Sequence, residues 1–379
     1  MPERVLPGPA APEELAVVLT GAAAAADHPL KVLFWGTPAY AVPSLDALVA
    51  AGHQLVGVVT QPDRRRGRGN ELQPSAVKQR ALELGLPVFT PERIRREPMQ
   101  QQALAQLGAD LSVVVAFGQL LPPAVLAQPP LGCWNGHGSL LPRWRGAGPI
   151  QWCLLEGDSH TGVGIMAMEE GLDTGPVLLE RRLTVGLREN AAALAARLSA
   201  LTADLLVEAL PRIAAAGPGP EPERWQRLGL HPQACDGVTY ARMLTKDDHR
   251  LNWQDSALAL HRRIMALYPG AFTQLGEKRL KVLDSEPLVE RLAASLSPEA
   301  RTLLGRWPSG SIAAAQDSGD ARPGAPPGTV LALVPDTGLV VATGGCPLLI
   351  HAAQLQGKPA AEGQRLLQQL RLQPGDRLD

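Results

Sequence analysis

The chain has 379 residues, 45% of them apolar, with 36 Lys plus Arg against 37 Asp plus Glu and a formal net charge of −1. That length exceeds a typical single core and predicts two folded domains, while the charge balance excludes a strongly basic nucleic-acid coat, so any RNA contact must use local patches. The four cysteines, Cys133, Cys153, Cys235 and Cys346, form no CxxC pair, which argues against a zinc site or a disulfide framework and for buried thiols in a reducing cytoplasm.

Residues 1–29 carry Glu3, Glu13 and Glu14 and an alanine run too short to span a bilayer. They read as an N-terminal extension, a disordered tail or short extra helix, rather than as a signal peptide or a membrane anchor. Residues 31–34 and 55–59 then read as apolar strands around a helical pattern at 42–51, a βαβ unit. A helix near 76–84, a strand at 88–89, a helix at 99–107 and a buried strand at 111–117 continue the alternation, so an open, mainly parallel Rossmann-like sheet is expected. The first turn, Gly36-Thr37-Pro38-Ala39-Tyr40, has neither a G-x-G-x-x-G fingerprint nor a G-K-[ST] ending, which removes support for a dinucleotide or P-loop site. Ligands of such sheets lie beyond the carboxyl ends of the strands, which points to Phe117-Gly118-Gln119 and to 135–142.

Strands at 162–168 and 176–183 flank Asp173, and the Ala-Leu-rich stretch 190–215 reads as the long helix that closes a first domain, 30–216. Gly217-Pro218-Gly219-Pro220-Glu221-Pro222 opens a linker, 217–238. In the second domain, 239–379, a helix near 256–265 is followed by short strands at 272–275, 280–284, 329–333, 338–343 and 347–355, with turn signals between them, as in a small barrel of hairpins. Residues 286–327 are rich in Pro, Gly, Ser and Ala and read as a surface insertion, partly disordered.

Chemistry concentrates at Asn135 and His137, two apart in an extended segment and therefore on one side of it. An asparagine amide can donate to a developing oxyanion and a histidine can donate or shuttle a proton near neutral pH. Asp173, in the Gly-flanked turn Gly171-Leu172-Asp173-Thr174-Gly175, can orient the imidazole or take the proton of an attacking amine. None of the three is a strong nucleophile, so acyl transfer without a covalent intermediate is the expected reaction class. His53 and His160 have no partner at metal-ligand spacing, and no metal is expected.

The run from Asn135 to Gly146, NGHGSLLPRWRG, together with 171–175, Phe34-Trp35-Gly36-Thr37-Pro38, Thr60-Gln61-Pro62-Asp63-Arg64 and Gly67-Arg68-Gly69, resembles the methionyl-tRNA formyltransferase family over about 30–285 and 325–379. The resemblance implies 10-formyltetrahydrofolate as formyl donor, initiator methionyl-tRNA as acceptor, and an OB-like second domain for the RNA. It makes Asn135, His137 and Asp173 the catalytic set and Ser139, Leu140, Leu141 and Pro142 the folate element, with Phe117 and Gln119 as a second pocket wall. Arg64, Arg65, Arg66 and Arg68 become the loop that enters the acceptor stem, and Arg143 and Arg145 further RNA contacts. In the second domain Arg242, Lys246, Arg250, Arg262, Arg263, Lys278, Arg279 and Lys281 outnumber the neighbouring acids and form a basic patch. Gly136 stands where the family often has an aliphatic residue, and extra backbone freedom there would loosen the Asn135–His137 pair. A monomeric, cytoplasmic enzyme with no membrane partner is expected. The competing readings are a folate-dependent formyltransferase for a small amine, such as glycinamide ribonucleotide or an amino sugar nucleotide, and a catalytically silent RNA-binding relative.

Overall fold

A computed structural model describes residues 29–66, 69–307 and 325–379. Nearly all of the N-terminal extension, Arg68, and 308–324 of the expected insertion lie outside those residues.

Seven strands make the first sheet: β1 (Lys31–Gly36), β2 (Gln54–Val59), β3 (Val88–Phe89), β4 (Leu111–Val115), β5 (Cys133–His137), β6 (His160–Ala167) and β7 (Val177–Thr184). Their order is β7-β6-β5-β4-β1-β2-β3, with the pairs from β5 through to β3 parallel and β6 and β7 antiparallel at one edge. The central strands are largely apolar because both faces are covered: every residue of β4 is buried, as are Val32 to Gly36 of β1, as a parallel sheet between two layers requires. On one face, Leu33, Trp35, Val59, Ile94, Leu104, Phe117 and Val125 form a separate apolar cluster. The other face is covered by the Val42–Ala50 and Ala191–Ala216 helices, which pack on one another. The longer helix buries Leu194, Leu198, Leu201 and Leu205, an i, i+4, i+7 stripe. It is capped by the Asn190 side chain, which accepts from Ala192 N and Ala193 N.

The strand order reverses between β1 and β4, so the connections after Gly36 and Val115 leave in opposite directions and open a crevice. A cavity of about 170 Å³ sits there, lined by residues that include Thr37, Gln61, Arg64, Ala116, Phe117 and Gly118.

The second half builds a separate antiparallel sheet from Phe272–Leu275, Lys278–Pro287, Leu348–Leu355, Gly338–Val341 and Val330–Val334, in that order. The tail closes it into a barrel. Asp379 N donates to Gln274 O and Gln274 N to Asp379 O at one edge, while Val330 N donates to Asp376 O and Leu378 N to Gly328 O at the other.

The segment expected to be a surface insertion begins inside this sheet: Glu286 and Pro287 end its longest strand. Beyond them the Glu290–Ser295 3-10 helix and the Pro298–Leu303 helix bury Leu296, Ala300 and Leu303 against Val340 and Leu349. Ala, Ser and Pro in the composition hid that apolar spacing. Glu286 is fully buried; it accepts from Ser297 N at 2.7 Å, Ser297 Oγ at 2.6 Å and His351 Nε2 at 2.7 Å.

The two halves meet where the Pro149–Glu156 helix packs on the Ala257–Ala266 helix. The buried His261 joins Leu187 O at 2.8 Å to Ser285 Oγ at 3.1 Å, and Arg188 pairs with Asp284. No helix among the described residues is long and apolar enough to cross a membrane.

Candidate active site

Asn135 and His137 occupy the carboxyl end of β5, held in register by β6, where Asn135 pairs with Met166 and His137 with Gly164. Gly136 between them faces the Ala191–Ala216 helix; a Cβ there would lie 2.4 Å from Thr202 Cγ2. The backbone freedom expected of this glycine is therefore not exercised. It sits inside a paired strand, and the Thr202 methyl occupies the space an aliphatic side chain would need. Thr202 is itself fixed by bonds to Leu198 O at 2.7 Å and to the Tyr40 hydroxyl at 2.9 Å. Burial pushes that phenol up to about 12, against the pull of the Thr202 bond, so it stays protonated.

Asp173 has a left-handed backbone, φ 51°, unusual outside glycine, and this aims its carboxylate back at β5. Oδ1 accepts from Asn135 Nδ2 at 3.3 Å, Oδ2 accepts from Gly146 N at 2.8 Å, and His137 Nδ1 lies 3.7 Å from Oδ2. The other ring nitrogen of His137 is 3.0 Å from Trp144 O. The Trp144 carbonyl is an acceptor only, so the Nε2 hydrogen is directed at it and the Nδ1 side of the ring is left facing Asp173. Asn135 spends one amide hydrogen on Asp173 and keeps the second for a ligand. The structure thus brings all three residues singled out in the sequence to one point, at the switch-point side of the sheet. Among the described residues no group of His, Cys, Asp and Glu could hold a metal.

Other assignments change with burial. Ser139 is fully buried and its hydroxyl donates to Arg143 O at 2.7 Å, which closes the turn and leaves that side chain no part in folate contact; Leu140, Leu141 and Pro142 are half-buried beside it. The Gln119 amide is spent on the 91–94 loop, donating to Pro91 O and Glu92 O and accepting from Ile94 N, so it braces the pocket from behind rather than lining it. Phe117 packs edge-on against Trp35, with centroids 5.2 Å apart, yet its carbonyl, which accepts from Thr37 Oγ1 and Gln61 Nε2, borders the cavity.

Among the arginines, Arg64 and Arg65 stand exposed on a hairpin formed by Arg64–Arg66 and Glu71–Gln73. Arg64 donates to Gln61 Oε1 at the cavity rim. Arg143 is clamped by Asp158 through Nε at 2.9 Å and NH2 at 2.7 Å and stacks over Trp144 at 4.2 Å, with 40% of its side chain still exposed. Arg145, expected among the RNA contacts, is only 9% exposed, and its Nε and NH2 both donate to Gln233 Oε1, so burial and that pair turn the guanidinium inward, away from solvent. In the second half Arg242 is paired with Asp248, whose carboxyl it holds below the usual range, so that charge of the basic patch is already engaged, while Arg263 donates to the backbone Asp248 O.

Sequence reading missed Gln233, Thr239 and Arg224. Thr239 and Tyr240–Ala241 run alongside Arg145–Gly146 as a parallel pair, with Arg145 N donating to Thr239 O at 2.9 Å and Trp144 N to Thr239 Oγ1 at 2.9 Å. Arg224 reaches from the Glu221–Arg227 helix to Leu131 O at 2.7 Å. Each partner is distant in sequence, and no local spacing marks it.

A mainly parallel sheet with an amide, an imidazole and a carboxylate beside its switch point, followed by a small antiparallel barrel, defines a two-domain formyl transferase. The "Formyl transferase" family model matches residues 30–210 and the "Formyl transferase, C-terminal domain" model residues 243–371. Similar proteins include a methionyl-tRNA formyltransferase of Synechococcus sp. (strain WH7803), 65% identical over 92% of this chain and 98% of that one. Another, from Prochlorococcus marinus (strain MIT 9303), is 60% identical over 92% and 98%. Among solved structures, WlaRD, a sugar 3N-formyl transferase in the presence of dTDP and 5-N-formyl-THF, superposes with a TM-score of 0.54 at 14% identity, covering 88% of this chain and 100% of that one. HypX from Aquifex aeolicus in complex with tetrahydrofolic acid gives 0.54 at 14%, over 90% and 48%. These two establish the fold alone. The chain belongs to the methionyl-tRNA formyltransferase family.

Proposed function

We propose that this protein transfers the formyl group of 10-formyltetrahydrofolate to the α-amino group of methionine on initiator tRNA, as a monomeric cytoplasmic enzyme of translation initiation. The observation that carries the chemistry is the convergence of Asn135 and His137 on the Asp173 carboxylate. The amine attacks the formyl carbon and the carbonyl oxygen becomes an oxyanion. The free amide hydrogen of Asn135 stabilises that oxygen, with the His137 imidazole beside it as the second polar group. Asp173 takes the proton that the amine loses, and the folate nitrogen regains one as it leaves, so the products are a formamide and tetrahydrofolate.

In this reading 30–216 is the catalytic domain, 217–238 the connecting segment, and 239–379 the RNA-facing domain. Ser139 to Pro142 contribute backbone and leucine surface to the folate, and Arg64, Arg65, Arg66 and Arg143 supply phosphate contacts. Identity of 60–65% to curated methionyl-tRNA formyltransferases across both domains favours the RNA acceptor over a small amine.

The test offers 10-formyltetrahydrofolate with methionine-charged initiator tRNA, charged elongator tRNA and glycinamide ribonucleotide, and follows formyl-amide formation. Selective modification of the initiator is expected. Transfer to the small amine alone would move the acceptor assignment, and no transfer to any of them would leave an RNA-binding relative. Asn135→Ala should lose about 10²- to 10³-fold in kcat, the usual effect of removing one oxyanion donor.

A further inference from the structure

The turn that presents Asp173 does not stand by itself. Its peptide oxygens at Asp173 and Gly175 both point at Gln233, whose Nε2 donates to them at 2.9 and 2.7 Å. At the other end of the same amide, Oε1 accepts from Arg145 Nε at 3.1 Å and Arg145 NH2 at 2.7 Å. A flipped amide would set NH2 against a guanidinium and an oxygen against two carbonyls, so the network fixes its orientation. Only a side chain with donors at one end and an acceptor at the other fits between two carbonyls and a buried arginine. Glutamate lacks the donors, and an apolar isostere lacks both.

We propose that Gln233 is a positioning residue for formyl transfer: its amide bridges the Asp173 turn to Arg145 and thereby holds the Asp173 carboxylate in line with Asn135 and His137. This rests on the reading of Asp173 as the catalytic carboxylate. The left-handed conformation of Asp173 carries a steric cost that glycine would not, and bonds on both its carboxylate and its peptide hold it there. Gly146 N and Asn135 restrain the carboxylate itself, while Gln233 restrains the peptide that carries it. The neighbours of Gln233 at 234–237 are exposed, whereas it turns inward. Six residues on, Thr239 binds the loop next to Arg145 and the chain enters the second domain. The amide therefore links the catalytic turn to the segment that delivers the RNA-facing domain.

The test compares wild type with Gln233→Met and Gln233→Glu, and runs Asp173→Asn alongside, measuring kcat, KM for 10-formyltetrahydrofolate and KM for methionine-charged initiator tRNA, with a thermal melt for each. Gln233→Glu keeps the size and the Arg145 partner, so it serves if the methionine variant does not fold. A positioning role predicts a loss of about 10- to 100-fold in kcat, the scale of a small misplacement of a reacting group. Both KM values should stay within about twofold, since only orientation is lost and not binding. Combining Gln233→Met with Arg145→Met should add little further loss, because both act through one bridge. Unchanged kcat in the Gln233 variants with a crippled Asp173→Asn would overturn the bridge alone. A rise confined to KM for the tRNA would make Gln233 an RNA contact and overturn it too. An active Asp173→Asn would remove the catalytic carboxylate, and the bridge with it.

Discussion

At the scale of single residues the site shows which neighbours a side chain tolerates. Gly136→Ala drives a methyl into Thr202 Cγ2, and Thr202 cannot swing away without giving up the Tyr40 and Leu198 bonds. A loss of about 1 to 3 kcal/mol is expected from such overpacking. Thr202→Ser removes the offending methyl and keeps the hydroxyl, so the double variant should recover most of the melting temperature. Thiol chemistry gives a second expectation. Burial pushes the Cys133 thiol up to about 12 and that of Cys153 to about 11, so neither should react with a thiol reagent before unfolding, whereas exposed Cys235 should react in the native protein. The meeting of Asn135 and His137 with Asp173 could be anticipated from two short glycine-containing motifs, although 38 positions separate Asn135 from Asp173. The burial of Arg145 and its pairing with Gln233 were not seen, because the two meet across 88 positions. Burial against a distant segment leaves no trace in spacing.

At the scale of elements the reading was most secure where periodicity was strong. The run of buried strands and the leucine stripe of the Ala191–Ala216 helix follow from apolar spacing alone. That helix carries Pro211 in its interior, which removes one backbone donor, so its N-terminal anchor matters more. Asn190 supplies the acceptor for two otherwise unpaired amides, and Asn190→Ala should cost about 1 kcal/mol, read as a lower urea midpoint at unchanged m-value. The helices at 290–303 escaped notice because a Pro-, Ala- and Ser-rich composition looks like a loop until Leu296, Ala300 and Leu303 are seen against the sheet.

At the scale of the whole molecule, two buried titratable groups sit in the second domain close to the first. Burial holds the His261 imidazole below the ordinary 6.5, although the Leu187 carbonyl pulls the other way. The unfolded chain thus takes up a proton there that the folded chain refuses. Stability is complete above about pH 6.5 and declines as the pH falls through it. Glu286 works in a lower window. Burial alone would raise its carboxyl, but bonds from His351 and Ser297 prevail and bring it from the ordinary 4.5 to about 2. Its contribution is present above the unfolded value and lost on acidification towards about 2. A melting curve against pH should therefore steepen twice, and His261→Gln should flatten only the step near neutrality. The two-domain plan was legible from length and from the Gly-Pro run at 217–222. The closure of the barrel by its tail was not, since pairing partners in a sheet are set by topology rather than by local pattern.

The meeting of Gly136 and Thr202 also constrains descent. A lineage cannot acquire an aliphatic residue at 136 and trim position 202 in either order at equal cost. Losing the threonine methyl first leaves a small void that a folded enzyme survives, whereas enlarging the glycine first crosses an unstable intermediate. The history of these two positions should be directional, with bulk leaving the helix before it enters the strand.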